Sequence, residues 1–242
     1  MKAVTLTSLL LAALAAPLGG QPGPASLDVK YVRDSEEYAT LTRQVYRAAA
    51  GAVASARDTL QRGRVWAVVL DVDETVLDNS AYQLERQAYG LPFDLRSWNA
   101  WVRRREAGTV PGVVPFIVDV RALGGRVAWV TNRDETVGED TRANLEAHGL
   151  WDDHDRLCLQ DQSDSTYVKA RRRADLAAGA GRCAWEGERV AVLAYVGDQL
   201  GDFPAAGEAL PGAGEDAMFG SRFFLLPNPM YGSWVFRVTR RR

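Results

Sequence analysis

The amino-acid sequence predicts an α/β fold in which a parallel β-sheet is covered by helices on both faces. Three short and continuously apolar runs, at residues 65–70, 126–130 and 190–196, have the character of strands buried on both faces. Segments in which apolar residues recur at helical spacing lie between these runs. Strands that alternate with helices favour a parallel sheet, because each return crossover is long enough to hold a helix.

The remaining elements follow from caps and periodicity. Ser35 is a typical N-cap of a long first helix, since Glu36 and Glu37 stand in the first turn. Further helices are predicted at residues 94–107, 113–123, 135–148 and 168–178. Two weaker strands are predicted at residues 157–159 and 222–226, the second of them at an edge of the sheet.

Composition excludes several classes of protein. With 242 residues, 47% hydrophobic and 25% charged, the chain is globular rather than disordered or fibrous. A net charge of −2 argues against a nucleic acid polymer as partner. Two histidines cannot supply the several-histidine sites of many zinc hydrolases. Cys158 and Cys183 either form one disulfide or remain two buried thiols, and the pattern leaves both open.

Residues 1–20 have the pattern of a secretory signal peptide. Lys2 precedes an apolar run of small residues, and Ala13-Leu14-Ala15 forms a cleavage site. The run is too short to span a membrane, so no stable membrane insertion is expected. A buried N-terminal helix is the alternative. The favoured interpretation leaves one domain at residues 21–242 and a periplasmic or secreted protein.

The strongest functional signal is VVLDVDETVLDN at residues 68–79. Asp71 and Asp73 stand two residues apart where an apolar strand ends, so both side chains point to the same side. Ligands of open α/β sheets bind at this end of the strands. One carboxylate can attack phosphorus while the other exchanges a proton with the leaving oxygen. A pair of turn aspartates is the plain alternative, but the complete string is far less ordinary.

Three further motifs carry chemistry. Thr131 ends the next strand in VAWVTNR, and amides at the start of the following helix can bind phosphate. Lys169 opens a helix in YVKARRR, where a compact ammonium suits a crowded phosphate site, while Arg171–Arg173 are expected on a solvated face. Asp198 and Asp202 in YVGDQLGDF are oxygen ligands suited to Mg²⁺. Each motif alone has an ordinary structural explanation, so their value lies in occurring together.

In this order the motifs resemble those of the haloacid dehalogenase (HAD) superfamily of phosphatases. The closer similarity is to class C bacterial acid phosphatases of HAD subfamily IIIB, the group of lipoprotein e and related 5′-nucleotidases. That group shows DxDETxLDN, TNR, KxxRR, GDxxxDF and a late PNPMYGxW. The matching segments here are residues 71–79, 131–133, 169–173, 197–203 and 227–234. The resemblance extends from about Ser35 to Trp234.

The resemblance implies a role for each matching residue. Asp71 would form an aspartyl-phosphate, and Asp73 would protonate the leaving alcohol and then deprotonate the attacking water. Phosphoryl oxygens would be held by Thr131, the Asn132 amide and Lys169. These roles agree with the physics, because a phosphate dianion that approaches an anionic nucleophile needs positive charge nearby.

The resemblance also implies the cofactor. Mg²⁺ would be held by the Asp71 carboxylate, the Asp73 backbone carbonyl and Asp198, with Asp202 supporting it through water. Many relatives carry a lipid-bearing cysteine at the mature N-terminus. This chain lacks that cysteine, so free export is expected.

The fold implied by the resemblance is a HAD-type Rossmann-like parallel sheet flanked by helices, with a small helical cap. The cap would come from about residues 28–62 and 78–112. Trp98 in the cap and Tyr231 in the PNPMYG loop are the candidates to stack on a substrate base, with ordinary packing as the alternative. Trp101, three residues from Trp98, is expected to face the core.

The function expected is that of a secreted, Mg²⁺-dependent acid phosphatase acting on small phosphate monoesters, with 5′-nucleotides as one candidate class. The alternative is a catalytically inactive HAD-fold nucleotide-binding protein. A dehalogenase is disfavoured because it leaves no alkoxide for Asp73 to protonate, and a phosphomutase because its sugar phosphates are cytosolic. The oligomeric state is open, with a homodimer among the options.

Overall fold

A five-stranded parallel sheet lies at the centre of the computed structural model, which describes residues 24–205 and 215–236. The strands are β1 (Trp66–Leu70), β2 (Leu77–Asp78), β3 (Gly108–Thr109), β4 (Arg126–Asp134), β5 (Arg156–Gln160), β6 (Ala191–Gly197) and β7 (Phe223–Leu225). The main sheet has the order β5-β4-β1-β6-β7, and β2 and β3 form a separate antiparallel pair. The signal peptide expected at residues 1–20 lies outside the described residues.

The helices alternate with the strands, as the sequence predicts. They are α1 (Leu27–Asp34), α2 (Glu36–Asp58), α3 (Ser80–Ala88), α4 (Leu95–Arg104), α5 (Val113–Ala122), α6 (Gly138–Ala147), α7 (Lys169–Ala178) and α8 (Glu215–Met218). The Ser35 hydroxyl accepts a hydrogen bond from the Tyr38 amide at 3.0 Å, which confirms the predicted cap of α2. Among the described helices, none has the length and apolarity needed to cross a bilayer.

Alternation along the buried strands divides the core into two layers. Val68 and Leu70 face one layer, which α2, α5 and the cap helices help to fill. Ala67 and Val69 face the other layer, which is covered by α7. The sheet is therefore covered on both faces, which confirms the α/β class.

The register of β1 fixes the position of the polar residues that follow each strand. Leu70 pairs with Trp129 of β4 on one side and with Val196 of β6 on the other. Because parallel strands end at one edge of a sheet, the residues after these three positions meet there. Gly197 in turn pairs with Leu225 of β7, which places the start of the PNPMYGSW loop at the same edge.

The segments predicted to form the cap do not behave alike. The helices α3 and α4 pack together through Tyr82 and Trp98, whose ring centroids lie 5.0 Å apart. By contrast, α2 lies against β6 and β7 and shares their core layer through Tyr46 and Val53. The boundaries of the cap remain a prediction.

Two local differences from the sequence prediction concern the site. Strand β4 continues four residues beyond Val130 to Asp134, so Thr131 and Asn132 lie in a strand. A short 3₁₀ turn at Glu135–Val137 then precedes α6. The helix predicted at residues 135–148 therefore begins with a 3₁₀ turn, and its first amides lie four residues beyond Thr131. The helix α3 and the β2–β3 pair were not predicted, because they are too short for a clear periodic pattern.

Candidate functional site

Three aspartates come together at the carboxyl edge of the sheet. Asp71 follows β1, and its amide donates to the Val196 carbonyl of β6 at 3.0 Å. Carboxylate oxygens of Asp71, Asp198 and Asp202 all lie within 4.8 Å of one another, and the three residues are buried. Such a set of hard oxygen donors suits a divalent cation of the Mg²⁺ or Ca²⁺ type.

One ammonium group sits among these carboxylates. Lys169, the first residue of α7, donates to Asp71 Oδ1 at 2.6 Å and to Asp202 Oδ1 at 2.5 Å. Burial works against its charge, but Asp71 and Asp202 outweigh burial and raise the pKa of Lys169 above its ordinary value. Lys169 is therefore a fixed positive charge at the position where the resemblance implies a phosphate contact.

The buried negative charge exceeds what Lys169 alone balances. Burial, and after it the neighbouring Asp202, raises the pKa of Asp198 to about 6. Burial also raises the pKa of Asp71 well above its ordinary value, although Lys169 pulls in the opposite direction. Burial thus disfavours the ionised forms of both Asp71 and Asp198 beside a single ammonium, and a bound cation would relieve that cost. This charge excess, with the all-oxygen donor set, is the observation that fits a metal ion.

Asp198 is oriented by two residues that the motif analysis did not single out. Its Oδ1 accepts from the Thr75 hydroxyl at 3.3 Å, and its Oδ2 accepts from Asn228 Nδ2 at 2.8 Å. The Asn228 side-chain oxygen accepts in turn from the Met230 amide at 3.0 Å. Thr75 stands in the DVDETVLDN string and Asn228 in the PNPMYGSW segment, so membership of these motifs was the available signal. The late loop is thus tied directly to the acidic cluster.

Asp73 lies apart from the carboxylate cluster and is held differently. Its Oδ1 accepts from Arg133 Nε at 2.9 Å, from Arg133 Nη2 at 2.8 Å and from Asn79 Nδ2 at 3.0 Å. Within residues 24–205 and 215–236, its Oδ2 has the Thr131 hydroxyl as its single hydrogen-bond partner, at 3.4 Å. Asp73 therefore has one oxygen fixed in place and one oxygen only weakly engaged.

The two polar residues after Val130 differ in accessibility. Thr131 is fully buried and accepts from the Arg133 amide at 3.1 Å, whereas Asn132 is exposed. The Asn132 Oδ1 accepts from Arg172 Nη2 at 2.7 Å. A guanidinium can only donate, so the amide oxygen must face Arg172 and the amide NH₂ is left for another partner. The phosphate contacts expected of Thr131 and Asn132 remain predictions, and the geometry favours Asn132.

The arginines after Lys169 do not form the expected solvated face. Arg172 is 0% exposed and Arg173 is 6% exposed, so only Arg171 fits that expectation. Arg172 donates to the Thr131 and Cys158 carbonyls, and burial lowers its pKa to about 10. It thereby ties α7 to the ends of β4 and β5. A run of arginines looks solvated because the carbonyls that accept from it are distant in sequence.

A cavity of about 370 Å³ opens above the acidic edge. Its lining residues are Asp71, Asp73, Gln83, Phe93, Leu95, Trp98, Asn132, Lys169, Gln199 and Tyr231. Both expected aromatic residues, Trp98 and Tyr231, line it. Phe93, which the sequence did not single out, also lines it. This residue is 66% exposed, and its ring lies 6.2 Å from the Trp98 ring. Trp101 is buried, as expected, and does not line the cavity.

The disulfide left open by the sequence is present. Cys158 of β5 and Cys183, which follows α7, are bonded and buried, with a Cα–Cα distance of 5.4 Å. The bond joins the strand that flanks β4 to the segment behind α7. It therefore braces the side of the sheet from which Lys169 and Arg172 reach the site.

Comparison with known proteins places this chain in a family. The sequence model of the HAD superfamily, subfamily IIIB (acid phosphatase), matches residues 22–234. The chain belongs to this family, which confirms the resemblance seen in its motifs. The fold agrees with that of the class C acid phosphatase from Bacillus anthracis, with a TM-score of 0.71 and 25% identity over 88% of this chain and 89% of the other.

Two plant proteins are similar to this chain over part of their length. The chain is 32% identical to Acid phosphatase 1 of Solanum lycopersicum over 189 residues, which are 75% of this chain and 64% of that protein. It is 27% identical to the Stem 31 kDa glycoprotein of Glycine max over 171 residues, or 67% and 58% of the two chains. The match thus spans less than two thirds of either plant protein.

Proposed function

We propose that the protein is a Mg²⁺-dependent phosphatase that hydrolyses phosphate monoesters through an aspartyl-phosphate on Asp71. The observation that carries the proposal is the position of the Asp71 carboxylate. It lines the cavity while it contacts Lys169 and shares a buried cluster with Asp198. A nucleophile, a fixed positive charge and a cation site thus meet at one point. Membership of the acid phosphatase family supports the same conclusion.

The first step transfers the phosphoryl group to the protein. An Asp71 carboxylate oxygen attacks phosphorus, and the bond between phosphorus and the substrate oxygen breaks. Asp73, which also lines the cavity, gives its proton to that leaving oxygen, so the product is a neutral alcohol. The phosphoryl group remains on Asp71 as an acyl phosphate, and Asp73 is left as a carboxylate.

The second step restores the protein. The Asp73 carboxylate takes a proton from a water molecule, whose oxygen attacks phosphorus. The bond between phosphorus and the Asp71 oxygen breaks, which releases inorganic phosphate and regenerates the Asp71 carboxylate. Asp73 ends protonated, as it began. Lys169 and Asn132 line the cavity and would hold the phosphoryl oxygens through both steps.

Mg²⁺ would be held by Asp71 and Asp198, with the Asp73 backbone carbonyl as a further ligand. Bound there, it would supply positive charge against the phosphoryl oxygens. Asp202, expected to act through water, has its two oxygens on Lys169 and on the Gln199 amide at 2.9 Å. That engagement is consistent with a supporting position rather than with a direct one.

We propose organic monophosphates that carry a flat group, and 5′-nucleotides in particular, as substrates, because aromatic residues line the cavity. Phe93 and Tyr231 offer aromatic surface on which a base can stack. Trp98 also lines the cavity but is 7% exposed, because Tyr82 and Phe93 pack against its ring. The signal peptide at residues 1–20 is proposed to direct export to the periplasm or the medium. The buried disulfide supports this location, because disulfides persist in oxidising compartments. A homodimer stays an open proposal.

The decisive experiment is phosphate release from nucleotides, sugar phosphates and an aryl phosphate, each with Mg²⁺ or with a chelator. Release that requires Mg²⁺ and disappears in Asp71→Asn is the expected result. An inactive nucleotide-binding protein would bind nucleotides and release no phosphate from any of them. Full release after exhaustive chelation would exclude the metal-dependent mechanism. The intact mass of exported protein would show whether the signal peptide is removed.

A further inference from the structure

Asp73 is surrounded by a buried network that the proposed reaction does not use directly. Arg133 is 1% exposed and does not line the cavity, so it cannot touch a substrate held there. Two of its nitrogens, Nε and Nη2, donate to Asp73 Oδ1. Its third nitrogen, Nη1, donates to the Thr141 hydroxyl of α6 at 3.3 Å. The guanidinium is therefore fixed from both sides.

Asn79 adds a second contact to the same oxygen. It is fully buried, and its Nδ2 donates to Asp73 Oδ1 at 3.0 Å. Its own oxygen accepts from Trp101 Nε1 at 2.9 Å and from Arg133 Nη2 at 3.3 Å. Both of these partners can only donate, so they fix the amide orientation and force its NH₂ group toward Asp73. Trp101 belongs to α4, so a helix of the proposed cap reaches Asp73 through Asn79.

The two oxygens of Asp73 are consequently unequal. Oδ1 receives three donors at 2.8–3.0 Å, which fills the lone pairs of a carboxylate oxygen. Oδ2 has one long contact with the Thr131 hydroxyl at 3.4 Å. A proton cannot sit on an oxygen that already faces three N–H groups. Only Oδ2 can carry the proton that a leaving group needs.

We infer that Arg133, Asn79 and Trp101 are positioning residues that orient Asp73 so that Oδ2 alone exchanges protons with the leaving group and with water. The inference rests on the proposed function, because it assumes that Asp73 is the acid and base of the phosphatase. It extends that function by assigning three buried residues to the proton-transfer step. It also assigns the step to one named atom.

The test uses the dependence of rate on the leaving group. An alkyl phosphate such as glycerol phosphate needs a proton on its leaving oxygen, whereas 4-nitrophenyl phosphate leaves readily without one. The ratio kcat/KM reports the steps up to aspartyl-phosphate formation. We expect Arg133→Met to lower kcat/KM about 100-fold for the alkyl phosphate and less than about tenfold for the aryl phosphate. Trp101→Phe keeps an aromatic side chain but replaces the indole with a smaller ring and removes the N–H group that donates to Asn79. It should lower kcat/KM selectively for the alkyl phosphate as well, by a smaller factor.

A double variant separates positioning from general damage. If Arg133 acts through Asp73, adding Arg133→Met to Asp73→Asn should change kcat/KM by no more than about twofold for either substrate. The matched control is Arg121→Met, which breaks the ion pair between half-buried Arg121 and buried Asp155 at the opposite edge of the sheet. That variant should affect both substrates equally. Urea unfolding of each variant, with Trp101→Phe as the mildest, shows that a folded protein is compared.

The outcomes are distinct. Equal losses on both substrates in Arg133→Met and Trp101→Phe, or an additive loss in the double variant, would overturn the positioning role and leave the proposed function intact. If Asp73→Asn itself lowered kcat/KM equally for both substrates, the proposed acid and base role of Asp73 would be wrong, and this inference would be wrong with it. The supporting result is a loss of kcat/KM that is larger for the alkyl phosphate in Arg133→Met, Trp101→Phe and Asp73→Asn, with no further loss in the double variant.

Discussion

At the scale of single residues, one side-chain type serves different ends because its surroundings differ. Asp71, Asp198 and Asp202 share a buried cluster, where burial raises the pKa of Asp71 and Asp198. Asp73 lies only two positions from Asp71 but is bound by a buried guanidinium. An aspartate is thus the proposed nucleophile and cation ligand at position 71 and the proposed acid and base at position 73, because the surroundings of the two carboxylates differ.

Replacing the proposed nucleophile gives the simplest prediction. Asp71→Asn keeps the shape of the side chain and removes the attacking anion, so kcat should fall by roughly 1,000-fold or more. Phosphate binding should survive, because Lys169 remains in place. Steady-state kinetics measure the first effect, and protection by inorganic phosphate against thermal unfolding measures the second. A variant within tenfold of wild type would refute the assignment of Asp71.

The aromatic wall gives a second prediction at this scale. Stacking of a base on one ring is worth about 1–3 kcal/mol, so Tyr231→Ala should raise KM for a nucleoside monophosphate roughly ten- to a hundredfold. Phe93→Ala should act in the same direction, since its exposed ring lines the same cavity. A small aryl phosphate, which has less surface to stack, should lose less. Equal losses on both substrates would remove the support for nucleotides while the phosphatase assignment stood.

At the scale of elements, the strength of a local pattern decided what could be predicted. The strands β1, β4 and β6 were predictable because burial on both faces requires continuous apolar runs. Once they are parallel neighbours, their register brings Asp71 and Asp198 together without further information. The core of the site therefore followed from the sequence.

The parts that were missed depend on contacts between distant residues. The polar end of β4 stays extended while Arg133 reaches back to Asp73, 60 positions earlier in the chain. Arg172 is buried because carbonyls at the ends of two strands accept from it. Phe93 lies in a loop with no periodicity, and only the assembled cavity shows what it lines. Local sequence patterns cannot predict contacts between residues that lie far apart in the chain.

The disulfide permits a prediction about one pair of elements. Breaking the bond frees a segment of 25 residues in the unfolded chain, so Cys158→Ala with Cys183→Ala should lower the free energy of unfolding by about 3 kcal/mol. Urea titration measures the loss. Either single substitution should cost about as much as both, because either one abolishes the bond. No loss of stability would mean that packing around β5 and α7 holds without the bond.

At the scale of the whole molecule, the buried acids couple stability to pH and to metal. The pKa of Asp198 is about 6 in the folded chain against an ordinary 3.8. Between these values the folded chain binds more protons than the unfolded chain, so its stability falls as pH rises through this window. Acids with a lowered pKa, such as Asp161 at about 2, titrate below the window. The buried acids therefore dominate this part of the pH dependence.

We accordingly expect the chelated protein to unfold at a lower temperature at pH 7 than at pH 4.5. Mg²⁺ at pH 7 should restore the midpoint, because an ion that binds only the folded chain stabilises it by mass action. Asp198→Asn should show a flatter pH dependence and a smaller response to Mg²⁺. Differential scanning calorimetry at the two pH values measures all three effects. A chelated wild type with the same midpoint at both would contradict the charge excess derived for the acidic cluster.

The loop after β7 also affects the order in which the site is completed during synthesis. It supplies Asn228, which orients Asp198, and Tyr231, which lines the cavity. A chain growing from its N-terminus reaches these residues only after every strand of the sheet has been synthesised. A nascent chain can therefore complete the strands of the described sheet before its proposed catalytic centre is complete. The proposed phosphatase activity should therefore arise only after this last described stretch of the chain has emerged.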